Sequence, residues 1–284
     1  MSTVQTALRR GTQVLRESSD SPRLDAEMLL GTVLGRSRVG LVIAAEEAIA
    51  AAEEREFEHL LARRRAGAPV AYLTGMREFW SLEFAVSPAV LVPRPETELL
   101  VAIALEHLPE SLERSVLDLG TGSGAIAIAN SHERPRAPVT GTDRSAAALD
   151  VARANGARLV ADRVRWRGGS WFDAVPGERF DVIVANPPYV AAGDDALARL
   201  ASEPLEALTP GATGLEAFAA IIAGAREHLC EDGVLAFEHG AGQAAALAAA
   251  LARGRFDSIQ TRVDHAGLAR VTWARFHSSN EEPS

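Results

Sequence analysis

Lysine is absent from this 284-residue chain, so all 29 of its basic residues are arginine. Chemistry through a lysine Schiff base or a P-loop lysine is thereby ruled out. Cysteine occurs once, as Cys230, which excludes an internal disulfide and a cysteine-based zinc cluster. No apolar run approaches the roughly 20 residues that cross a bilayer. Arg9, Arg10 and Arg16 also break up any signal-peptide core, so a cytoplasmic protein with no membrane association is expected. The formal net charge of −9 argues against a protein that coats nucleic acid, and no stable nucleic-acid binding is expected. Arg63-Arg64-Arg65 is a basic cluster, which reads more readily as the cation-bearing end of a helix than as a binding patch. The histidines at 59, 107, 132, 228, 239, 265 and 277 show no ligand spacing, so no metal is expected. What remains is an ordinary globular composition, 47% hydrophobic and 24% charged, long enough for about two domains.

Residues 3–75 read as helices only. Ser21 is a candidate cap with Pro22 at the first helical position. Ala26, Leu29, Leu30, Val33 and Leu34 then follow an amphipathic stripe up to Gly35. A second helix is expected over about 48–65. One-sided helices of this kind form a small bundle, for which either substrate docking or plain packing is a possible role. Residues 78–95 change character: Phe79, Trp80, Leu82, Phe84, Val86, Val90 and Val92 suggest two short strands around Ser87-Pro88. The segment ends in Val92-Pro93-Arg94-Pro95-Glu96-Thr97-Glu98, where proline-stiffened charges either line a pocket or cap the helix that follows through about His107.

From Arg114 strand and helix alternate. Val116-Leu117-Asp118-Leu119 reads as a strand, and Gly120-Thr121-Gly122-Ser123-Gly124 opens a helix. A glycine loop between a strand and a helix N-terminus makes a nucleotide-type site. The next strand ends in Asp143, near the roughly 20-residue spacing of an acid that binds ribose hydroxyls. The loop lacks the G-x-G-x-x-G dinucleotide fingerprint, so adenosyl-methionine suits it better than NAD. Asp118 either fixes the strand-to-loop turn or orients the amino-acid part of that ligand. Further strands are expected at about 163–166, 181–185, 233–237 and 269–276. Trp171 is placed to stack on an adenine, whereas Phe172 reads as core. Asp181–Ala185 is a short buried strand halted by Asn186-Pro187-Pro188-Tyr189. There the Asn186 carboxamide and the Pro187 carbonyl accept both hydrogens of a planar –NH2 group, on which the Tyr189 ring stacks; the alternative is an ordinary Asn-Pro turn. Because ligands of open α/β sheets bind at strand carboxyl ends, the agreement of these positions points to a methyl donor beside a nitrogen-presenting turn. The 190–208 connection, with Glu203-Pro204-Leu205-Glu206, is a candidate mobile lid.

Four blocks resemble the release-factor glutamine N5-methyltransferases of the HemK/PrmC type. They are P-V-A-Y-L-T-G-x-R-E-F-W-S-L-x-F from Pro69, V-P-R-P-E-T-E from Val92, V-L-D-L-G-T-G-S-G-A-I-A-I-A from Val116 and N-P-P-Y at Asn186. Weaker echoes follow at Glu203, Glu238 and Arg270. The resemblance implies a class I, Rossmann-like α/β methyltransferase with a seven-stranded sheet. It implies a helical substrate-recognition domain over 1–76, a β-hairpin linker over 77–95, a catalytic domain over 96–277 and a disordered tail over 278–284. S-adenosyl-L-methionine would be held by Asp118, Gly120, Thr121, Gly122, Ser123, Gly124, Asp143, Trp171 and Asn186. Asn186, Pro187 and Tyr189 would be catalytic, and Pro188, Arg94, Glu96 and Thr97 would join them around the substrate. The acceptor would be the glutamine of the Gly-Gly-Gln motif in peptide-chain release factors. Glu96 stands where many members carry Asp, and Ser170 stands where an acid usually precedes the aromatic. The rival readings are glutamine methylation of a ribosomal protein, amine methylation of a nucleic-acid base, a nicotinamide or flavin oxidoreductase, and a non-enzymatic binding module.

Overall fold

The computed structural model describes residues 2–277, and the tail expected from Ser278 lies outside the described residues. The chain separates into two units, one ending at Met76 and the other starting at Arg77. In the first, α1 (Val4–Leu15), α2 (Pro22–Leu34), α3 (Arg38–Ile43), α4 (Ala51–Arg65) and α5 (Val70–Thr74) follow one another. Pro22 starts α2 where its missing N–H costs nothing, and Gly35 ends it at φ 62°, a left-handed conformation that suits glycine. Ala26, Leu29 and Leu30 of the expected stripe are fully buried with Leu15 and Phe57. Two buried acids join them. Asp25 accepts from Arg64 Nε and from Ser19 Oγ, both at 2.7 Å. Glu27 accepts from Arg23 Nε at 2.6 Å and from Arg38 Nε at 2.8 Å. Arg64, the centre of the basic triplet, is thus committed to holding this unit together.

At the start of the second unit, and from the last residue of the first, runs the hairpin of β1 (Met76–Phe79) and β2 (Leu82–Ala85). It turns at Trp80-Ser81, not at Ser87-Pro88 as the hydrophobic pattern suggests. Trp80 and Ser81 both take positive φ, 53° and 57°, the pairing that lets a two-residue turn follow the strand twist. No Asn-Gly signals it. Carboxylates hold it instead: Trp80 N donates to Glu98 Oε1 at 2.8 Å and Ser81 N to Glu78 Oε1 at 2.7 Å.

After it come α6 (Glu98–Glu106), β3 (Val116–Leu119), α7 (Ala125–Glu133), β4 (Val139–Asp143), α8 (Ala146–Val160), β5 (Val164–Gly168) and β6 (Phe180–Ala185). The short α9 (Ala196–Arg199) and α10 (Leu205–Leu208) lead to α11 (Glu216–His228), β7 (Leu229–Glu238), α12 (Ala244–Arg253), β8 (Asp257–Val263) and β9 (Ala269–Arg275). The strands form one seven-stranded sheet in the order β5-β4-β3-β6-β7-β9-β8. It is parallel from β5 to β7, and β9 runs antiparallel to both its neighbours. Val116, Leu117, Val182, Ile183 and Val184 are fully buried, as central parallel strands covered on both faces should be.

The topology fixes where a ligand sits. From β3 the chain steps outward to β4 and β5, then returns to the other side of β3 as β6. That reversal opens a crevice at the strand carboxyl ends. In the register, Leu119 lies beside both Thr142 and Ala185. Gly120, Asp143 and Asn186 therefore leave three adjacent strands at one level.

Candidate active site

Asp118 is wholly buried at the end of β3. Its Oδ2 accepts from Thr121 Oγ1 at 2.5 Å and from Ala127 N at 3.2 Å. The carboxylate thereby ties the glycine loop to the first turn of α7. Burial lifts its pKa to about 7 against the pull of those two bonds, and the nearby Asp143 charge adds to the rise. Gly120 and Gly122 take φ of 72° and 56°, and a Cβ at Gly122 would enter open space. Asp143 holds the loop from the opposite side. Its Oδ2 accepts from Gly122 N and its Oδ1 from Ser145 N, both at 2.9 Å, and each oxygen keeps a lone pair for a ligand hydroxyl.

One cavity of about 400 Å³ gathers most of the expected positions, a volume suited to a small-molecule cofactor. Gly120, Thr121, Gly122, Ser123, Asp143 and Trp171 line one part of it. Asn186, Pro187, Pro188, Arg94 and Thr97 line another. Trp171 takes a left-handed φ of 47°, and its Cζ3 lies 3.5 Å from where a Gly120 Cβ would stand. Phe172 instead stacks on His228 with ring centroids 4.5 Å apart, a core role.

The Asn186 side chain is held by a polar contact. Its Nδ2 donates to Thr97 Oγ1 at 3.3 Å, and Thr97 is itself buried. Glu238 ends β7, is 2% exposed, and accepts from the Tyr189 hydroxyl at 3.4 Å. On the other wall, Arg94 pairs with Glu203, which is buried and also accepts from Val92 N at 3.1 Å. Glu203 belongs to the 190–208 connection, whose Pro204, Glu206 and Ala207 line the cavity. That connection thus carries two short helices and a buried ionic tie.

Asp118, Gly124, Glu96 and Tyr189 do not line the cavity. Asp118 faces the loop from beneath, so of its two open roles it takes turn fixation. Gly124 meets Trp166 instead of a ligand: a Cβ there would stand 2.9 Å from Trp166 Cη2, and Cβ atoms at Gly141 and Gly156 would stand 2.5 and 3.1 Å from the same ring. Glu96 acts through its charge on Glu238 and Arg270. Tyr189 packs against the core beyond the sheet and turns its hydroxyl to Glu238, since a buried phenol needs a partner.

Two residues outside the expected site set stand behind it. Glu238, where the sequence carries only a weak family echo, is one. The other is Asn155, whose Nδ2 donates to Ser123 O and Ala85 O, both at 3.0 Å, while its Oδ1 accepts from Ala85 N at 2.8 Å. It fastens the glycine loop to β2. Its only sequence signal is an Asn-Gly pair inside a helical pattern, where neither residue is favoured. Outside the cavity, Glu231, Asp232 and His277 approach one another at the surface, with His277 Nδ1 2.6 Å from Asp232 Oδ1. Among the described residues, no helix is long and apolar enough to cross a membrane.

Residues 6–75 match the family model described as the PrmC N-terminal domain, and residues 97–214 match that of the methyltransferase small domain. A release factor glutamine methyltransferase of Burkholderia pseudomallei is 44% identical over 97% of this chain and 99% of its own. Another, of Bordetella pertussis, is 47% identical over 88% of this chain and 94% of its own. Among solved structures, the 16S rRNA N2 G1207 methyltransferase of Thermus thermophilus aligns with a TM-score of 0.51 at 23% identity, over 70% of this chain and 49% of that one. A methyltransferase of Pyrococcus furiosus aligns with a TM-score of 0.51 at 19% identity, over 77% of this chain and 96% of that one. These two likenesses concern the fold alone.

Proposed function

The chain belongs to the release factor glutamine methyltransferases, and we propose that its cavity moves the methyl group of S-adenosyl-L-methionine onto the side-chain nitrogen N5 of a glutamine. The acceptor is the glutamine of the Gly-Gly-Gln motif in peptide-chain release factors, which places the reaction in the cytoplasm. One observation carries the reading: the glycine loop, Asp143 and Asn186 emerge at one level around a single cavity.

The residues present suit that donor. The open space at Gly122 lets backbone approach the ligand, Asp143 offers lone pairs to the ribose hydroxyls, and the flat Trp171 ring suits adenine. Ser170 lines the cavity with a hydroxyl and no carboxylate, which leaves adenine recognition to stacking and neutral groups. When bound, S-adenosyl-L-methionine supplies a methyl group already activated on a positively charged sulfur.

The chain then has one main task, because an amide nitrogen is a poor nucleophile whose lone pair is delocalised into its carbonyl. Asn186 Oδ1 and the Pro187 carbonyl accept the two N–H bonds of the glutamine side chain. They fix the amide plane and turn its nitrogen toward the methyl. As the N–C bond forms and the C–S bond breaks, one N–H proton becomes acidic and leaves to water. Positioning is the main lever, and well-oriented reactants gain on the order of 10⁵–10⁸ M in effective molarity. Arg94 and Thr97 shape the acceptor side, Arg94 through Glu203 and Thr97 through Asn186. The acidic net charge of −9 favours a protein acceptor over a nucleic-acid base.

The test is to incubate purified release factor with the enzyme and the methyl donor, then locate the modification by peptide mass spectrometry. A single methyl on the Gly-Gly-Gln glutamine, lost on Gln→Ala, is the expected result. Methyl groups on a ribosomal protein or nucleic acid, with the release factor untouched, would overturn the choice of acceptor.

A further inference from the structure

β6 and β7 are neighbours, with Ala185 beside Phe237 in the register, so the N-P-P-Y turn after one lies next to the turn after the other. Pro187 and Pro188 stiffen the first turn but bring no N–H to it, so its middle cannot be anchored as a donor. Its position in the cavity depends on groups that reach its carbonyls from elsewhere. Gln243 is such a group. It is the sole polar residue between His239 and Arg253, and it stands just before α12, where its side chain does not cap the helix.

The Gln243 carboxamide meets three backbone groups. Its Oε1 accepts from Gly240 N at 2.9 Å, and its Nε2 donates to Tyr189 O at 3.0 Å and to Gly214 O at 3.2 Å. A flipped carboxamide would set N–H against N–H and oxygen against oxygen, so the partners fix its orientation. Two glycines leave room for the contact. A Cβ at Gly214 would stand 2.4 Å from Tyr189 O and 3.1 Å from Gln243 Nε2, and one at Gly240 would stand 3.1 Å from Gln243 Oε1. One side chain thus joins the N-P-P-Y turn, the turn after β7 and the approach to α11. Asn186, Pro187 and Pro188 of the first and Thr209 and Pro210 ahead of the third line the cavity, whereas Gln243 does not.

We propose that Gln243 is a positioning residue for methyl transfer: by drawing Tyr189 O and Gly214 O onto one –NH2 group, it sets where the turn holds Asn186 Oδ1 and the Pro187 carbonyl. The inference rests on the reading that this turn receives the glutamine amide. The link is short and stiff, because only Pro188, with its fixed φ, separates Pro187 from Tyr189. A shift of the Tyr189 carbonyl therefore carries the substrate's acceptors with it, and a displacement of about 1 Å can cost on the order of 10²-fold in rate. Thr97 steadies the Asn186 side chain, and Gln243 steadies the backbone that bears it.

The test separates the two halves of the carboxamide. Gln243→Glu keeps an acceptor for Gly240 N, but at about pH 8 its carboxylate is ionised and has no proton for Tyr189 O or Gly214 O. Gln243→Met keeps the length of the side chain and offers neither. The measurement is the single-turnover rate of methyl transfer to release factor at saturating cofactor, with the Kd of S-adenosyl-L-methionine taken by calorimetry. Both variants should lower the rate by about tenfold or more, the scale of a lost orienting hydrogen bond, and leave cofactor affinity within about twofold. A residue that served only the turn before α12 would behave otherwise. Gln243→Glu would then match the wild type, because the Gly240 bond survives and a carboxylate suits a helix N-terminus. A wild-type rate in Gln243→Glu, or a cofactor affinity that falls as far as the rate, would overturn the proposal. If Gln243→Glu does not fold, Gln243→Met carries the test, and a wild-type rate there overturns it equally. Wild-type enzyme that leaves release factor unmethylated would instead overturn the underlying reading.

Discussion

Asp143 commits each carboxylate oxygen to a backbone N–H, one in the glycine loop and one at the start of α8. It therefore shapes the cavity as well as lining it. Asp143→Ala removes both the loop tie and the acceptors for ribose hydroxyls. Cofactor affinity should fall about 10- to 100-fold, from hydrogen bonds worth roughly 1–3 kcal/mol in all; calorimetry showing unchanged affinity would contradict its placement. Residues such as this were legible in the sequence because their role follows from spacing after a strand. Asp118 and Gly124 sit in the same motif, yet one supports the loop from below and the other makes room for the Trp166 indole. Spacing identifies a loop but not which way each of its residues faces. Glu238 carries only a weak family echo in the sequence, and its contact with Tyr189 does not show there because the two are distant in the chain.

At the scale of elements, the parallel strands and the helices between them announce themselves through buried β-branched runs and glycine punctuation. β8 does not. Its residues, Asp257–Val263, form an edge strand in which exposed and half-buried positions mix, so no hydrophobic pattern marks a strand there. The hairpin turn was misplaced because carboxylates from Glu78 and Glu98 hold a Trp-Ser pair in a conformation usually left to Asn-Gly. In the first unit the hydrophobic stripe of α2 was plain, but the burial of Asp25 within it was not. Asp25 is 6% exposed and bound to Arg64 of α4. Arg64→Ala leaves that carboxylate buried without its cation and should destabilise this unit by about 3 kcal/mol. Denaturant melts followed by a probe within residues 2–76 measure it. A change under about 0.5 kcal/mol, as for a surface site, would show that the pair carries no weight.

For the whole molecule, two buried carboxylates set the dependence of stability on pH. Asp118 and Glu238 are raised to about 7 from ordinary values of 3.8 and 4.5. A raised acid binds its proton more tightly in the folded state, so the fold gains stability as pH falls from about 7 toward the ordinary values and loses it on the way up. Glu27, Glu106 and Asp264 are lowered by arginine partners. Their contribution is present above the ordinary carboxylate range and is lost as acid protonates them. The melting temperature should therefore peak at mildly acidic pH and decline through neutrality. Glu238→Gln should reduce that decline. A melting temperature that rises steadily from pH 5 to 8 would contradict the burial of both charges.

The most direct test of the central claim is a single-turnover measurement of methyl transfer to release factor by Asn186→Ala, paired with its cofactor affinity. If Asn186 positions the acceptor amide, the rate at saturating cofactor and substrate should fall by roughly 10²-fold or more, the scale of a lost near-attack geometry, with the melting temperature little changed. Methyl transfer by the variant at the wild-type rate would mean that the glutamine is held elsewhere.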